Sequence, residues 1–138
     1  MTDDITFRRL CRARDLLAAG YRERITLEEA AREACLSPFH FHRTFARVFG
    51  ETPLEFLTRL RMDAAQRLLA ADEMPVTEVC LEVGYASLGT FSKRFAERTG
   101  RPPSEYRSMA RRLVAPVGGW RIYRIPACFL TLWNIPQV

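Results

Sequence analysis

Two stretches of the chain share one pattern of apolar and polar positions. Residues 37–50 read SPFHFHRTFARVFG, and residues 87–100 read SLGTFSKRFAERTG. Aligned without a gap, they agree at Ser37 and Ser87, Phe41 and Phe91, Phe45 and Phe95, Ala46 and Ala96, and Gly50 and Gly100. The same register pairs Glu28 with Glu78 upstream, and Pro53 with Pro103, Glu55 with Glu105 and Phe56 with Tyr106 downstream. This agreement indicates an internal duplication.

Each copy has the start, period and stop of an amphipathic helix. Ser37 and Ser87 are N-cap residues, and Pro38 suits a first helical position because it needs no donor there. Gly50 and Gly100 suit the left-handed position that ends a helix. Helical spacing gathers an apolar side and an outward side. In the first copy the apolar side holds Phe41, Thr44, Phe45, Val48 and Phe49, and the outward side holds Phe39, His40, Arg43, Ala46 and Arg47.

Further helices surround these two. Asp3 or Asp4 caps a first helix that runs to about Ala19, with an apolar stripe of Ile5, Leu10, Ala13, Leu16 and Leu17. Thr26 opens a second helix, and Glu29 completes its capping box. Residues 53–70 form a long linker helix, and residues 75–83 form a second short one. A short helix, a tight turn and a longer helix form a helix-turn-helix, so the pattern predicts an all-α fold with two such units.

Composition favours an anionic partner. The formal net charge is +5, and Lys93 is the only basic residue besides arginine and histidine. Arginine is suited to bidentate contacts with phosphates and bases, although codon bias is an alternative source of an arginine-rich surface.

The cysteines lack zinc-site spacing, and Cys35 and Cys80 are predicted to be buried. His40 and His42 point in different directions on a helix, so we predict no metal and no cofactor.

One segment also carries a family signature. Residues 76–107, VTEVCLEVGYASLGTFSKRFAERTGRPPSEYR, resemble the AraC/XylS family of bacterial transcription regulators in the G-Y-x-S turn, the F-x-x-x-F core, the T-G-x-x-P stop and the closing Y-R. The resemblance extends over about residues 5–112. It implies a seven-helix monomeric DNA-binding domain that recruits RNA polymerase or represses. The chain is expected to be of the short stand-alone type, whose activity is set by its abundance.

The resemblance also implies a set of site residues. The base-contacting positions of the family fall on Phe39, His42 and Arg43 in the first unit and on Leu88, Gly89, Thr90 and Lys93 in the second. We further predict phosphate contacts from Ser37, His40, Arg47, Ser87 and Arg94. Arg43 can contact a guanine through two hydrogen bonds, whereas Leu88 and Gly89 offer no polar group to a base edge. Local packing of Phe39 and simple solvent exposure of His40 are the alternatives.

These observations give one leading hypothesis and one alternative. Residues 1–112 are expected to form the DNA-binding domain, with helix-turn-helix units at 26–50 and 75–100 and the linker helix at 53–70. The expected partners are double-stranded DNA and RNA polymerase, in the cytoplasm and away from membranes. The alternative is a module that binds polymerase or another regulator and has little DNA affinity of its own. No catalytic constellation occurs in a plausible context, which argues against an enzyme.

The last residues differ in composition. Residues 113–138 are apolar, contain both tryptophans and include three prolines, Pro116, Pro126 and Pro136, that forbid a long helix. We predict two short extended segments, at 120–125 and 128–133. An isolated pair of strands is marginal in water, so this C-terminal extension should pack on the helical domain or pair with a second copy. A monomer on DNA and a homodimer formed through the extension are therefore both open.

Overall fold

The structure of the 138-residue chain is a computed structural model, and it describes residues 3–71 and 73–113. These residues form helices joined by short loops, with no strand among them, and the all-α prediction is confirmed. The helices are α1 (Asp4–Ala19), α2 (Leu27–Glu33), α3 (Pro38–Phe49), α4 (Pro53–Ala71), α5 (Val76–Glu82), α6 (Leu88–Thr99) and α7 (Pro103–Leu113). None of these helices is long and apolar enough to cross a membrane. The extended segments predicted at 120–125 and 128–133 lie outside the described residues.

The helix ends are fixed by the residues that the sequence indicates. The Asp3 carboxylate accepts a hydrogen bond from the Thr6 N–H at 2.8 Å, and Thr26 forms the expected capping box with Glu29. Ser37 and Ser87 cap α3 and α6 in the same way. Gly50 and Gly100 take φ values of 77° and 78°, in the left-handed region where a side chain is disfavoured. The bounds of both long helices of the repeat are therefore set locally.

The buried residues form two separate hydrophobic clusters, one for each unit. The first lies among α1, α2, α3 and the start of α4, and the second among the rest of α4, α5, α6 and α7. The helix α4 contributes Phe56 and Leu57 to the first cluster and Met62, Ala65 and Leu69 to the second. A single helix thus belongs to both cores and connects them.

Aromatic rings repeat between the two cores. Phe45 meets Phe56 edge-on with ring centroids 5.8 Å apart, and Phe95 meets Tyr106 edge-on at 5.3 Å. The Tyr106 hydroxyl reaches further and donates to the Gln66 side-chain oxygen of α4 at 3.3 Å. The start of α4 therefore supports α3 as α7 supports α6, which is the packing expected of a duplication.

The ungapped register fails upstream of the repeated helices. The turn after α2 closes with the N–H of Leu36 donating to the Ala31 carbonyl, and the turn after α5 closes with Tyr85 donating to Cys80. These turns correspond at an offset of 49 residues, whereas α3 and α6 correspond at 50. The second turn is one residue longer. The predicted pairing of Glu28 with Glu78 is consequently wrong, because Glu29 is the structural counterpart of Glu78.

Two burial predictions are also corrected. Cys35 is exposed, because α2 ends at Glu33 and Cys35 occupies the turn with a φ of 55°, the position that Gly84 takes in the second unit. Ile5 and Leu16 are 61% and 38% exposed. Only Leu10, Ala13 and Leu17 of α1 are buried, and they form a narrower stripe than expected since the neighbouring helices cover one side of α1.

The two glycines Gly84 and Gly50 provide a matched test of this architecture. Both have positive φ, but a Cβ on Gly84 would lie 3.0 Å from the carbonyl oxygens of Tyr21 and Arg22, and a Cβ on Gly50 would meet nothing within 4 Å. Gly50→Ala should cost about 1–2 kcal/mol of strain in the free energy of unfolding. Gly84→Ala should cost about 1–3 kcal/mol more, because backbone atoms must move. Urea denaturation of both variants measures the difference, and equal losses would contradict it.

The capping box at the start of α4 predicts a pH dependence. The backbone N–H of Thr52 donates to the Glu55 carboxylate at 2.7 Å and lowers the pKa of Glu55, helped by the Thr52 side chain and, to a smaller extent, by His42. A lowered folded-state pKa means that the stabilisation is present above the unfolded pKa of about 4.3 and is lost as pH falls through the folded value. Glu55→Gln should therefore destabilise the protein at neutral pH, and this loss should shrink as the pH falls below about 4.3. Urea titrations of both proteins across this range measure it, and a constant difference would exclude it.

Candidate nucleic-acid interface

The outward face of α3 carries a ridge of side chains at four-residue spacing. Phe39, Arg43 and Arg47 lie on this ridge, opposite the buried Phe41 and Phe45 that hold the helix on the first core. Phe39 is 71% exposed, so it does not pack into the core. The guanidinium carbon of Arg43 lies 5.5 Å from the centre of the Phe39 ring. This cation–π contact joins two exposed side chains on successive turns of α3.

The remaining predicted residues of the first unit flank this ridge. Ser37, His40 and His42 are exposed. The Ser37 hydroxyl accepts from the His40 N–H at 3.3 Å, which leaves its own hydrogen free for a partner. Within the described residues, no group of three or more His, Cys, Asp or Glu side chains is arranged to hold a metal ion. The first unit therefore presents one aromatic side chain, two arginines and two histidines to the outside.

The corresponding residues of α6 are exposed as well but differ in chemistry. Ser87, Leu88, Gly89, Thr90, Lys93 and Arg94 all lie on the surface of the second unit. At the offset of the repeat, the ridge formed by Phe39, Arg43 and Arg47 becomes Gly89, Lys93 and Glu97. On α6 there is therefore no side chain in place of the aromatic ring, an ammonium in place of the first guanidinium, and a carboxylate in place of the second guanidinium. The stack between an aromatic ring and a cation consequently has no counterpart on α6.

Gly89 has no structural requirement that the fold explains. It lies in the first turn of α6, and a Cβ there would meet only the Ser87 hydroxyl oxygen, at 3.9 Å. Glycine weakens a helix by about 0.5–1 kcal/mol relative to alanine, so another residue would give a more stable α6. A missing side chain does allow a bound molecule to approach the helix backbone closely.

The charges on the two outward faces are free for a partner. Within residues 3–71 and 73–113, no carboxylate lies within ion-pair distance of Arg43, Arg47, Lys93 or Arg94. The nearby Arg98 differs, because it pairs with Asp63 of α4 at 3.5 Å. Burial raises the pKa of the Asp63 carboxyl, and Arg98 and Arg59 oppose this only in part. Each outward face thus presents unpaired cations and is suited to binding an anionic surface.

Sequence reasoning missed the polar contacts that position these faces. Arg59 of α4 binds Glu51, just beyond α3, with a shortest distance of 2.6 Å, and lies 4.0 Å from Asp63. Because Asp63 also pairs with Arg98 near the end of α6, this chain of charges runs from the base of one repeated helix to the base of the other. The spacing of Arg59 and Asp63 along α4 is a usable signal for their pairing. No local pattern identifies Glu51 and Arg98 as their partners.

The chain is similar to a known domain family. A family model described as a helix-turn-helix domain matches residues 30–109. The bifunctional transcriptional activator/DNA repair enzyme AdaA of Bacillus subtilis is 32% identical over 92 residues, which cover 67% of this chain and 44% of that protein. The RCS-specific HTH-type transcriptional activator RclR of Escherichia coli is 39% identical over 88 residues, which cover 64% of this chain and 31% of that protein. The chain therefore spans less than half the length of these curated relatives.

Solved structures have the same fold. The DNA-binding domain of the global transcriptional factor AdpA, determined in complex with a target DNA, superposes with a TM-score of 0.71 at 29% identity, covering 75% of this chain and 93% of that domain. A probable AraC family transcriptional regulator from Rhodopseudomonas palustris gives a TM-score of 0.67 at 27% identity, covering 75% of this chain and 97% of that one. Two helix-turn-helix units joined by a central helix are therefore the architecture of this chain and of these proteins.

Proposed function

The chain belongs to the AraC-type helix-turn-helix family, and on that premise we propose that it is a sequence-specific transcription regulator that binds double-stranded DNA with α3 and α6 in successive major grooves. The observation that carries this proposal is the pair of capped, solvent-exposed helices with unpaired cations, each held on its own core. The similarity to a domain determined on its target DNA supports the same partner.

The dimensions of α4 suit this arrangement. The helix has 19 residues, which corresponds to a length of about 28 Å at the usual rise per residue. Successive major-groove faces of one duplex are separated by about 34 Å. Since α4 reaches from the first core to the second, it can hold α3 and α6 near that separation.

The proposal gives the two units different roles. On α3, Arg43 is oriented by Phe39 and would donate two hydrogen bonds to a guanine edge, with Phe39 lying against a thymine methyl and His42 reading a neighbouring base. On α6, Leu88, Gly89, Thr90 and Lys93 would lie near base edges but offer few polar groups to read them. Ser37, His40, Arg47, Ser87 and Arg94 would contact phosphates and set the position of each helix.

We also propose a location and an output for the whole protein. Residues 1–112 would be the DNA-binding domain, acting in the cytoplasm where bacterial DNA lies. Two of the relatives are named transcriptional activators, which supports recruitment of RNA polymerase as the output. AdaA is also named a DNA repair enzyme, but its match to this chain is confined to the helix-turn-helix part, so we propose binding without catalysis. The proposal includes two forms of the DNA-bound protein, a monomer and a homodimer formed through residues 113–138.

Binding should depend on duplex length and on salt. A site that spans two successive major grooves needs a duplex of about two helical turns. When the unpaired cationic side chains of the protein bind phosphates, the DNA releases its condensed counterions. Affinity for a site selected from a random pool should thus fall steeply between about 50 and 200 mM salt, and it should fall when the duplex is shortened to about one turn. Fluorescence anisotropy measures both effects. A flat salt response and equal affinity for both lengths would instead favour a module that binds proteins.

Specificity should reside mainly in α3. Arg43→Ala should cost about 1–3 kcal/mol of binding free energy and relax the base preference at one or two positions. The reason is that it removes a pair of hydrogen bonds to one base edge. Arg43→Lys, which keeps the charge but not the planar fork, should relax the preference as well. Lys93→Ala should instead weaken binding about equally for all sequences and reduce the salt slope by about one.

Specificity profiles of the wild type and these three variants provide the measurement. The assignment is reversed if Lys93→Ala erases a sharp base preference while Arg43→Ala leaves the profile unchanged.

A further inference from the structure

The two units touch each other directly beside the middle of α4. The loop between α1 and α2 belongs to the first unit, and the turn at Gly84 and Tyr85 belongs to the second. Both lie against Arg61 of α4. We call this contact region the junction, formed by Tyr21, Arg22, Arg61, Glu82, Gly84 and Tyr85.

Arg61 contacts both units with one guanidinium group. Its Nε donates to the carbonyl oxygen of Tyr21 at 2.7 Å, and its Nη2 donates to the carbonyl oxygen of Glu23 at 3.1 Å. The guanidinium carbon also lies 5.6 Å from the centre of the Tyr85 ring. The side chain is partly buried at its Nε, so the charged hydrogen bond to Tyr21 is less screened by solvent than a bond on the open surface.

The backbones of the two units are close packed at the same place. A Cβ on Gly84 would lie 3.0 Å from two carbonyl oxygens of the first unit, so only glycine permits this approach. An ion pair between Arg22 and Glu82 closes the outer side of the junction. Tyr21 packs against both hydrophobic clusters. Hydrogen bonds, a cation–π contact, close backbone packing, an ion pair and apolar packing therefore hold one loop against the other.

The junction is directly connected to the second outward helix. Tyr85 precedes the N-cap residue Ser87 by two positions, and its ring lies 5.7 Å from that of Phe91, a core residue of α6. Any movement of the turn would consequently move the start of α6. We infer that Arg61 is a positioning residue, which locks the two units into one rigid body and thereby fixes the separation and rotation of α6 relative to α3.

The consequence for DNA rests on the proposed function. Adding one base pair between two subsites moves them apart by about 3.4 Å and rotates one relative to the other by roughly 35°. A rigid pair of helices cannot follow this change, whereas two units that move independently can. The lock would thus make this protein strict about the spacing of its two subsites, in addition to their sequences.

The first test requires no DNA. Arg61→Met keeps most of the side-chain length and apolar stem but removes all donors, and Arg67→Met is a matched control because it removes the same charge from an exposed position of the same helix. Residual dipolar couplings of the full chain report the orientation of each unit. The wild type and Arg67→Met should fit one alignment tensor for both units, and Arg61→Met should require two. A single tensor for Arg61→Met would overturn the inference.

A milder variant guards against unfolding of Arg61→Met. Glu82→Gln breaks the exposed ion pair with Arg22 and leaves the cores intact. The two units of this variant should also need different alignment tensors, with a smaller difference between them than in Arg61→Met. If Arg61→Met does not fold and Glu82→Gln is indistinguishable from the wild type, the inference is wrong.

The second test measures spacing on DNA with the same proteins. Duplexes carry the selected site either unchanged or with one base pair inserted between its halves. The wild type and Arg67→Met should lose at least about tenfold in affinity on insertion, comparable to a base mismatch, and Arg61→Met should lose about threefold or less. An unchanged spacing preference in Arg61→Met would contradict the inference. If the wild type binds no duplex, the proposed function fails, and the alignment tensors alone then decide whether Arg61 is the lock.

Discussion

The fold depends on one constraint, which is that α4 must satisfy two hydrophobic cores at once. Phe56 and Leu57 belong to the first cluster and Met62, Ala65 and Leu69 to the second, so neither core is complete without this helix. Its start is fixed by the Thr52 and Glu55 capping box, and its middle carries Arg59, Arg61 and Asp63, which bind both units. A helix used in this way transmits the position of one unit to the other, and the junction beside its middle adds direct contacts between the two units.

Much of the fold can be predicted from the sequence because its signals are local. The N-cap at Ser37 and the left-handed glycine at Gly50 act within one helical turn, and the same holds for Ser87 and Gly100. The exposed face of α3 follows from helical spacing alone, since Phe41 and Phe45 must be buried together. Residue identity and period are sufficient for elements of this kind, and that is also why the candidate residues are all found on the surface.

The features that the sequence does not reveal depend on contacts between distant residues or on an exact count of residues. Cys35 sits in an apolar pattern, yet the turn needs a residue with positive φ there, and burial patterns carry no information on φ. The extra residue in the second turn is invisible to an ungapped comparison because it lies just outside the matching helices. Arg61 looks like any other arginine of a basic chain, since its partners are carbonyl groups about forty positions away in the sequence.

The replacement of Phe39, Arg43 and Arg47 by Gly89, Lys93 and Glu97 has a consequence for the genome in which such a regulator acts. On the proposed function, mutations in the half of an operator that faces α3 would abolish control, whereas mutations in the half that faces α6 would mostly be neutral. Operators could therefore diverge during evolution on one side only. The result would be a graded series of promoters, and the number of regulator molecules in the cell would decide how far along that series control extends.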